Sequence, residues 1–181
     1  MECHLLADDT TLHTTGRSAH ILQQSLQSSL LEIESWCDHN CMALNPKKSS
    51  SMVVTTRQKR QLSPLTMTLS INNDAIKQVT DHTLLGVTVD ENLQWKPHIE
   101  RLCKKLSRNL FLLSQLKPII TLEARKVFYH AHIQSHMDYA SVVWDGCDEV
   151  RLSLLNSLHR REARLIKTNN TLSTDNKLKS L

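Results

Sequence analysis

Asp8 and Asp9 stand side by side between Leu5-Leu6-Ala7 and a threonine-rich run, Thr10-Thr11-Leu12-His13-Thr14. Two adjacent carboxylates repel each other unless a cation neutralises them. Mg2+ suits such a pair, because it takes oxygen ligands and keeps waters and substrate phosphates in its shell. Two such ions about 3.5–4 Å apart stabilise both the attacking and the leaving oxygen of an in-line displacement at phosphorus. Neighbouring side chains on a strand point to opposite faces, so a turn between the acids is what brings both to one ion pair. An Asp-Asp pair at a turn is most often merely solvated, and its surroundings have to carry any stronger assignment.

A second chemistry-bearing group is cationic. Lys96, Arg101, Lys104, Lys105 and Arg108 crowd one predicted helix, against Glu100 alone. With the apolar stripe of that helix on a core, these five form a basic face suited to sequence-independent, salt-dependent phosphate contacts. The ten histidines raise the question of a metal. His132 and His136 are four residues apart and Cys37, His39 and Cys41 are close together, but neither set has paired Cys-x-x-Cys spacing, so no zinc site is assigned. Cys103 and Cys147 read as small core or surface residues rather than nucleophiles.

These groups need elements to position them. The short apolar run before the acids and the threonine-rich flank after them predict a β-hairpin over 3–14 with the carboxylates at its tip, closed by Gly16. Leu22, Leu26, Leu30, Ile33 and Cys37 recur at helical spacing and predict a helix over 18–39, capped by Ser18, covering that strand pair. Asn45-Pro46 ends it. Residues 51–56 read as a strand, Arg57, Lys59 and Arg60 as a basic loop, and 65–71 as a strand turning at Asn72-Asn73-Asp74 into a return strand over 75–79. A further β segment over 83–89 is interrupted by Gly86, which marks a bulge or a close backbone approach. After Asp90 the period changes to 3.6. Ile99, Leu102, Leu106, Leu110, Leu113 and Leu116 predict a helix over 96–116, ended by Pro118. Thr121 caps a second helix to about 137, with Ala124, Val127, Phe128 and Ala131 on one face. Asp148 caps a third, with Val150, Leu154, Leu158 and Leu165 at helical spacing.

Composition narrows the classes. A hydrophobic share of 40% is enough for a core, and three glycines and four prolines exclude collagen-like or Gly-rich low-complexity chains. A net charge of +4 is compatible with nucleic acid without demanding it. Five irregularly spaced cysteines argue against a disulfide framework and for a reducing compartment. No signal peptide or membrane span is legible, so the chain reads as intracellular, with nucleus and cytoplasm not distinguished. Opening within an apolar run, it reads as a truncated unit.

The ordered motifs resemble a family. Leu5-Leu6-Ala7-Asp8-Asp9-Thr10-Thr11 is similar to the (aromatic)-Ala-Asp-Asp-Thr box of reverse transcriptases, with Leu6 where the family often has Tyr or Phe. Residues 36–49, from Trp36 through Leu44-Asn45-Pro46-Lys47-Lys48-Ser49, resemble its helix end followed by Leu-Asn-x-x-Lys-Thr. His82 to Asp90, with Leu93, Trp95 and His98-Ile99, resembles the Leu-Gly strand and the Leu-x-Trp-x-x-His-Ile helix start. Arg125, Tyr129, Ile133, Tyr139 and Trp144 echo the helical thumb of the non-LTR (LINE-type) retrotransposon enzymes. Each block is weak alone; their order over about residues 3–168 is specific.

The resemblance implies roles. Asp8 and Asp9 match the catalytic Mg2+ ligands. Lys48 matches the basic residue near the incoming nucleotide's phosphates. Leu85, Gly86 and Val87 match the hairpin that grips the primer. The implied partners are an RNA template and a DNA primer, with the thumb's basic helix on the duplex.

The expected fold is α+β. A partial palm over 1–92 (hairpin, covering helix, further antiparallel strands) precedes an all-α, thumb-like part over 93–168 and a polar, disordered tail over 169–181. Fingers and a further metal-binding Asp lie upstream of the family's Ala-Asp-Asp box, so the expected function is that of a polymerase remnant, inert alone. The alternative is a nucleic-acid-binding module using the basic helix. A truncated sheet also implies an exposed edge and self-association.

Overall fold

The structure is a computed structural model that describes residues 2–6, 9–62 and 65–166. It is α+β and divides into two compact units, 1–93 and 94–181. Acidic Asp8 and the tail over 169–181 lie outside the described residues.

In the first unit, β1 (Glu2–Leu6) pairs antiparallel with β2 (Asp9–His13). Helix α1 (Ala19–His39) follows, with the Ser18 side chain accepting from Ile21 N at 3.4 Å. The predicted stripe is the one that turns inward: Leu30 and Cys37 are buried, and Leu22, Leu26 and Ile33 are half-buried. Three short ladders come next. Strand β3 (Ser50–Ser51) pairs in parallel with β6 (Lys77–Gln78), and β4 (Ser70–Ile71) pairs antiparallel with β5 (Asp74–Ala75). Strand β7 (Asp81–Leu84) pairs antiparallel with β8 (Val87–Asp90). The core joins Leu30, Leu69, Ile71 and Ile76, with Leu12, Leu26 and Leu44 packed against it.

The predicted strand over 65–71 is ladder-bonded only at Ser70–Ile71. Backbone groups need partners wherever they go, and here side-chain amides supply them. Gln27 donates to the Ser70 carbonyl and accepts from Ser70 N, both at 3.0 Å. Gln23 accepts from Thr68 N at 3.4 Å and Glu34 from Asn72 N at 2.9 Å. Gln78 accepts from Met67 N at 2.9 Å and donates to the Leu65 carbonyl at 3.0 Å. Glutamines on α1 and β6 thus stand where a neighbouring strand would, and they cover this stretch of edge. The turn at Asn72-Asn73 has both residues at positive φ, 51° and 67°, the type I′ geometry that asparagine tolerates.

Four expectations for this unit are corrected. The later strands are not all antiparallel, because β3 pairs in parallel with β6, and the expected return strand over 75–79 is divided, Asp74–Ala75 pairing with β4 and Lys77–Gln78 with β3. Residues 57–62 form helix α2 (Arg57–Leu62) rather than a basic loop. Arg60 explains why: it ion-pairs with Glu91 and donates to the Val53 carbonyl at 2.9 Å, which fastens the helix down. Residues 83–89 are not one strand with a bulge. Leu85 and Gly86, at φ 48° and 81°, make the two-residue turn between β7 and β8.

The second unit is helical. Helix α3 (Lys96–Leu116) begins with Pro97 in its first turn, where a missing N–H costs nothing, and Pro118 follows its end. Helix α4 (Leu122–Tyr129) is capped by Thr121, which accepts from Ala124 N at 3.2 Å. A π-helical segment (His130–Gln134) leads into α5 (Ser135–Asp138), then α6 (Ser141–Trp144) and α7 (Glu149–Ile166). Asp148 Oδ1 accepts from Arg151 N at 3.0 Å and caps α7. The core gathers Ile99, Leu102, Leu106, Leu110 and Leu113 of α3 around Ile133, Trp144, Cys147 and Leu155.

The faces of the later helices differ from expectation. Val127, Ala124 and Ala131 are exposed, while Arg125 and Ile133 are buried and Phe128, Tyr129 and Met137 pack inward. Within α4 the inward side is already the one carrying Arg125, Phe128 and Tyr129; the π segment that follows holds an extra residue and rotates what comes after it relative to a 3.6 repeat. The Asn109 side chain donates to the His132 carbonyl inside that segment. On α7, Val150 and Leu154 face solvent. The inward set is Leu152, Leu155, Leu158 and Leu165. No helix among the described residues is long and apolar enough to cross a membrane.

Candidate functional site

The β1–β2 register is Glu2 opposite His13, Cys3 opposite Leu12, His4 opposite Thr11 and Leu6 opposite Asp9. Leu12 faces the core beneath α1. By the two-residue period, Asp9, Thr11 and His13 share the other face of β2. Asp9 is the first residue of β2 and is exposed. Among the described residues Asp9 joins no cluster of three metal-ligating side chains.

Lys48 sits in a tight loop built by Asn45. The Asn45 Oδ1 accepts from Lys47 N at 3.1 Å and Lys48 N at 3.3 Å, and the Asn45 carbonyl accepts from Ser49 N and from Ser49 Oγ at 2.9 Å. The loop backbone is therefore fixed while the Lys48 side chain is exposed.

Leu85 and Gly86 form the tip of the β7–β8 hairpin, and Val87 starts the buried strand. Thr83 and Thr88 face each other across it with hydroxyls 3.2 Å apart. Leu85 is exposed and held at positive φ, a conformation costing a side-chain-bearing residue about 1–2 kcal/mol. Strain of this kind persists only where the surroundings impose it.

All five predicted cations of α3 are exposed. At 3.6 residues per turn, Arg101, Lys104, Lys105 and Arg108 fall on one side, away from Leu102, Leu106, Leu110 and Leu113. Lys96, in the first turn, lies off that stripe. Phe111 and Leu112 continue the same side for a further turn and are also exposed. His136 of α5 lies within reach of this charge: burial pushes its pKa down, and Lys105 and then His132 push it further down. His98, on the inward side, is held below the ordinary imidazole value by burial and secondarily by Arg101; its ring lies 5.9 Å from that of Trp144. Trp144 donates its indole N–H to the Tyr139 carbonyl at 3.1 Å.

The histidine and cysteine pairs noted in the sequence do not assemble among the described residues: neither His132 with His136 nor Cys37, His39 and Cys41 make a three-ligand group. The set that does was missed. Glu2, His4 and His13 place one ligand atom each within 4.8 Å of one another. Its signal was legible as two residues at i, i+2 on one strand with a third facing them across the hairpin, once the register is known.

No family model matches the chain and no solved structure matches it. Among curated proteins it is similar to one described as "Probable RNA-directed DNA polymerase from transposon BS" of Drosophila melanogaster, with 24% identity over 163 residues and 88% of the chain covered. The matched stretch is 18% of that protein's length, so the chain spans under a fifth of the relative. In sequence, the chain is reverse-transcriptase-like.

Proposed function

We propose that this chain is the stretch of a non-LTR retrotransposon reverse transcriptase that runs from the Ala-Asp-Asp box through the later palm into a thumb. The observation that supports this reading is the similarity to a transposon RNA-directed DNA polymerase over 88% of the chain. In this reading the first unit is palm, with Asp8 and Asp9 as Mg2+ ligands, Lys48 beside the nucleotide phosphates and the Leu85–Val87 hairpin against the primer. The helical unit is thumb, with the cations of α3 along a template–primer duplex.

The fit to Mg2+ is incomplete. Asp9 is the described carboxylate at the turn, and it converges with no second and third ligand among the described residues. By resemblance, a further metal-binding Asp on another strand completes the two-ion centre, and a clamp on both the attacking and the leaving oxygen needs both ions held, so no step of phosphoryl transfer is assigned to these 181 residues by themselves. Primer extension on an RNA template with Mg2+ and the pure chain is expected to give no template-dependent product. A product lost on Asp8→Ala would overturn that expectation.

A second reading, nucleic-acid binding without catalysis, is favoured by one observation: four cations lie exposed on the side of α3 opposite its leucine core. Each phosphate neutralised contributes about −0.9 to the slope of log affinity against log salt. Neutralising Arg101, Lys104, Lys105 and Arg108 together is expected to flatten that slope by about 3–4 for an RNA–DNA duplex. An unchanged slope in fluorescence anisotropy would remove α3 as the interface.

A further inference from the structure

We propose that the open end of the β1–β2 hairpin is a binding site for a borderline divalent transition ion of the zinc class, held by Glu2, His4 and His13. Glu2 and His4 are two apart on β1 and so share a face, and His13 stands directly opposite Glu2. The ladder register, rather than a loop, sets the three donors together. Glu2 Oε2 lies 3.2 Å from His13 Nε2 and 3.8 Å from His4 Nε2, and the two imidazole rings stack with centroids 5.2 Å apart. Ligands placed tetrahedrally about 2.1 Å from zinc are about 3.4 Å from one another. Small side-chain rotations therefore close the set around one ion. Ion pairing at such exposed positions contributes little by itself.

The donor chemistry selects the ion. Two imidazoles and one carboxylate suit Zn2+, Ni2+ or Cu2+, whereas Mg2+ prefers oxygen ligands alone. Three protein ligands leave a coordination position for water. The site also differs in place from Asp9 at the start of β2. His13 and Asp9 share a face of β2 but are four residues apart, about 13 Å along an extended strand. The hairpin thus carries nitrogen-rich donors at its open end, with the Asp9 carboxylate at the opposite end of the ladder.

Titration of the full 181-residue chain with Zn2+, followed by NMR of the imidazole nitrogens, tests this. The first equivalent of Zn2+ is expected to shift the His4 and His13 ring nitrogens before those of other histidines. His4→Ala or His13→Ala is expected to weaken that equivalent by at least about tenfold, and Glu2→Gln by less. Millimolar Mg2+ is expected to leave the Zn2+ in place. Three results would each overturn the proposal: first-equivalent shifts confined to other histidines or to Cys37 and Cys41, an affinity indifferent to both histidine substitutions, or displacement by Mg2+. The ring shifts are read on the unsubstituted chain, so a variant that misfolds leaves the test intact.

Discussion

The two units hold themselves together differently. In 94–166, α3 aligns Leu106, Leu110 and Leu113 with no exposed surface against Ile133, which is equally enclosed. In 1–93 the core is smaller, three of the four ladders among the described residues are no longer than four residue pairs, and side-chain amides substitute for strands along 65–72. One unit rests on non-directional apolar burial, which tolerates imprecision. The other rests on individual directional bonds, each of which leaves a backbone group unpaired when lost.

That contrast can be broken at its strongest point. Leu110→Ala is expected to destabilise the helical unit by about 2–5 kcal/mol through lost burial and a residual cavity. Hydrogen exchange should locate the loss in α3 and α7, with 65–78 protected as before. If the loss spreads evenly over both units, they are one cooperative body and the contrast is wrong. Gln27→Ala is the counterpart in the first unit. It strips both Ser70 N and the Ser70 carbonyl of partners, at about 1–3 kcal/mol. Faster exchange confined to 68–72 is the expected result; unchanged exchange there would mean that water replaces the amide without loss.

Backbone strain gives a smaller effect. Leu85→Asn installs a residue that tolerates positive φ and should stabilise the first unit by up to about 1 kcal/mol, whereas Gly86→Ala should cost about 1 kcal/mol. Opposite signs in urea denaturation check the pair.

The mildest lever is pH. The folded-state pKa of His98 lies below the ordinary 6.5, because burial and then Arg101 disfavour its charged form. The unfolded chain therefore binds more protons as pH falls through 6.5, and stability contributed by neutral His98 is present above that value and is lost below it. Trp144, which faces His98, should report a lower melting temperature at pH 5.5 than at pH 7.5. His98→Gln should shrink the difference.

Much of the local architecture was legible. The caps at Ser18, Thr121 and Asp148 accept the hydrogen bonds that their residue types and positions imply. The α3 span and the α1 stripe follow from leucine spacing, because a 3.6 repeat of large apolar residues has one economical way to be buried. The faces from Ala124 onward were not legible: the side of α4 that is buried carries Arg125, and the π segment after Tyr129 inserts a residue that a periodicity count does not allow for. The run over 65–69 reads as strand by residue type, yet strand status depends on a partner, and Gln23 and Gln78 had claimed its backbone from far along the chain. Of the candidate site, the acids, Lys48 and the cations of α3 could be named from residue type and motif order. The Glu2–His4–His13 set could not, because its members become neighbours only through register.

The sequence alone determined the spans of α1 and α3, the caps at Ser18, Thr121 and Asp148, which stripe of α1 and α3 is apolar, and that the chain carries an Ala-Asp-Asp box followed by reverse-transcriptase-like motifs. Those features are encoded by neighbours within about four residues, the reach of a helical turn or a cap. Tertiary structure decided which side chains stand in for strands, where the helical register slips, and which three donors converge on the hairpin's open end. These are pairings between residues distant in sequence or across a ladder, and only the closed chain fixes their distances.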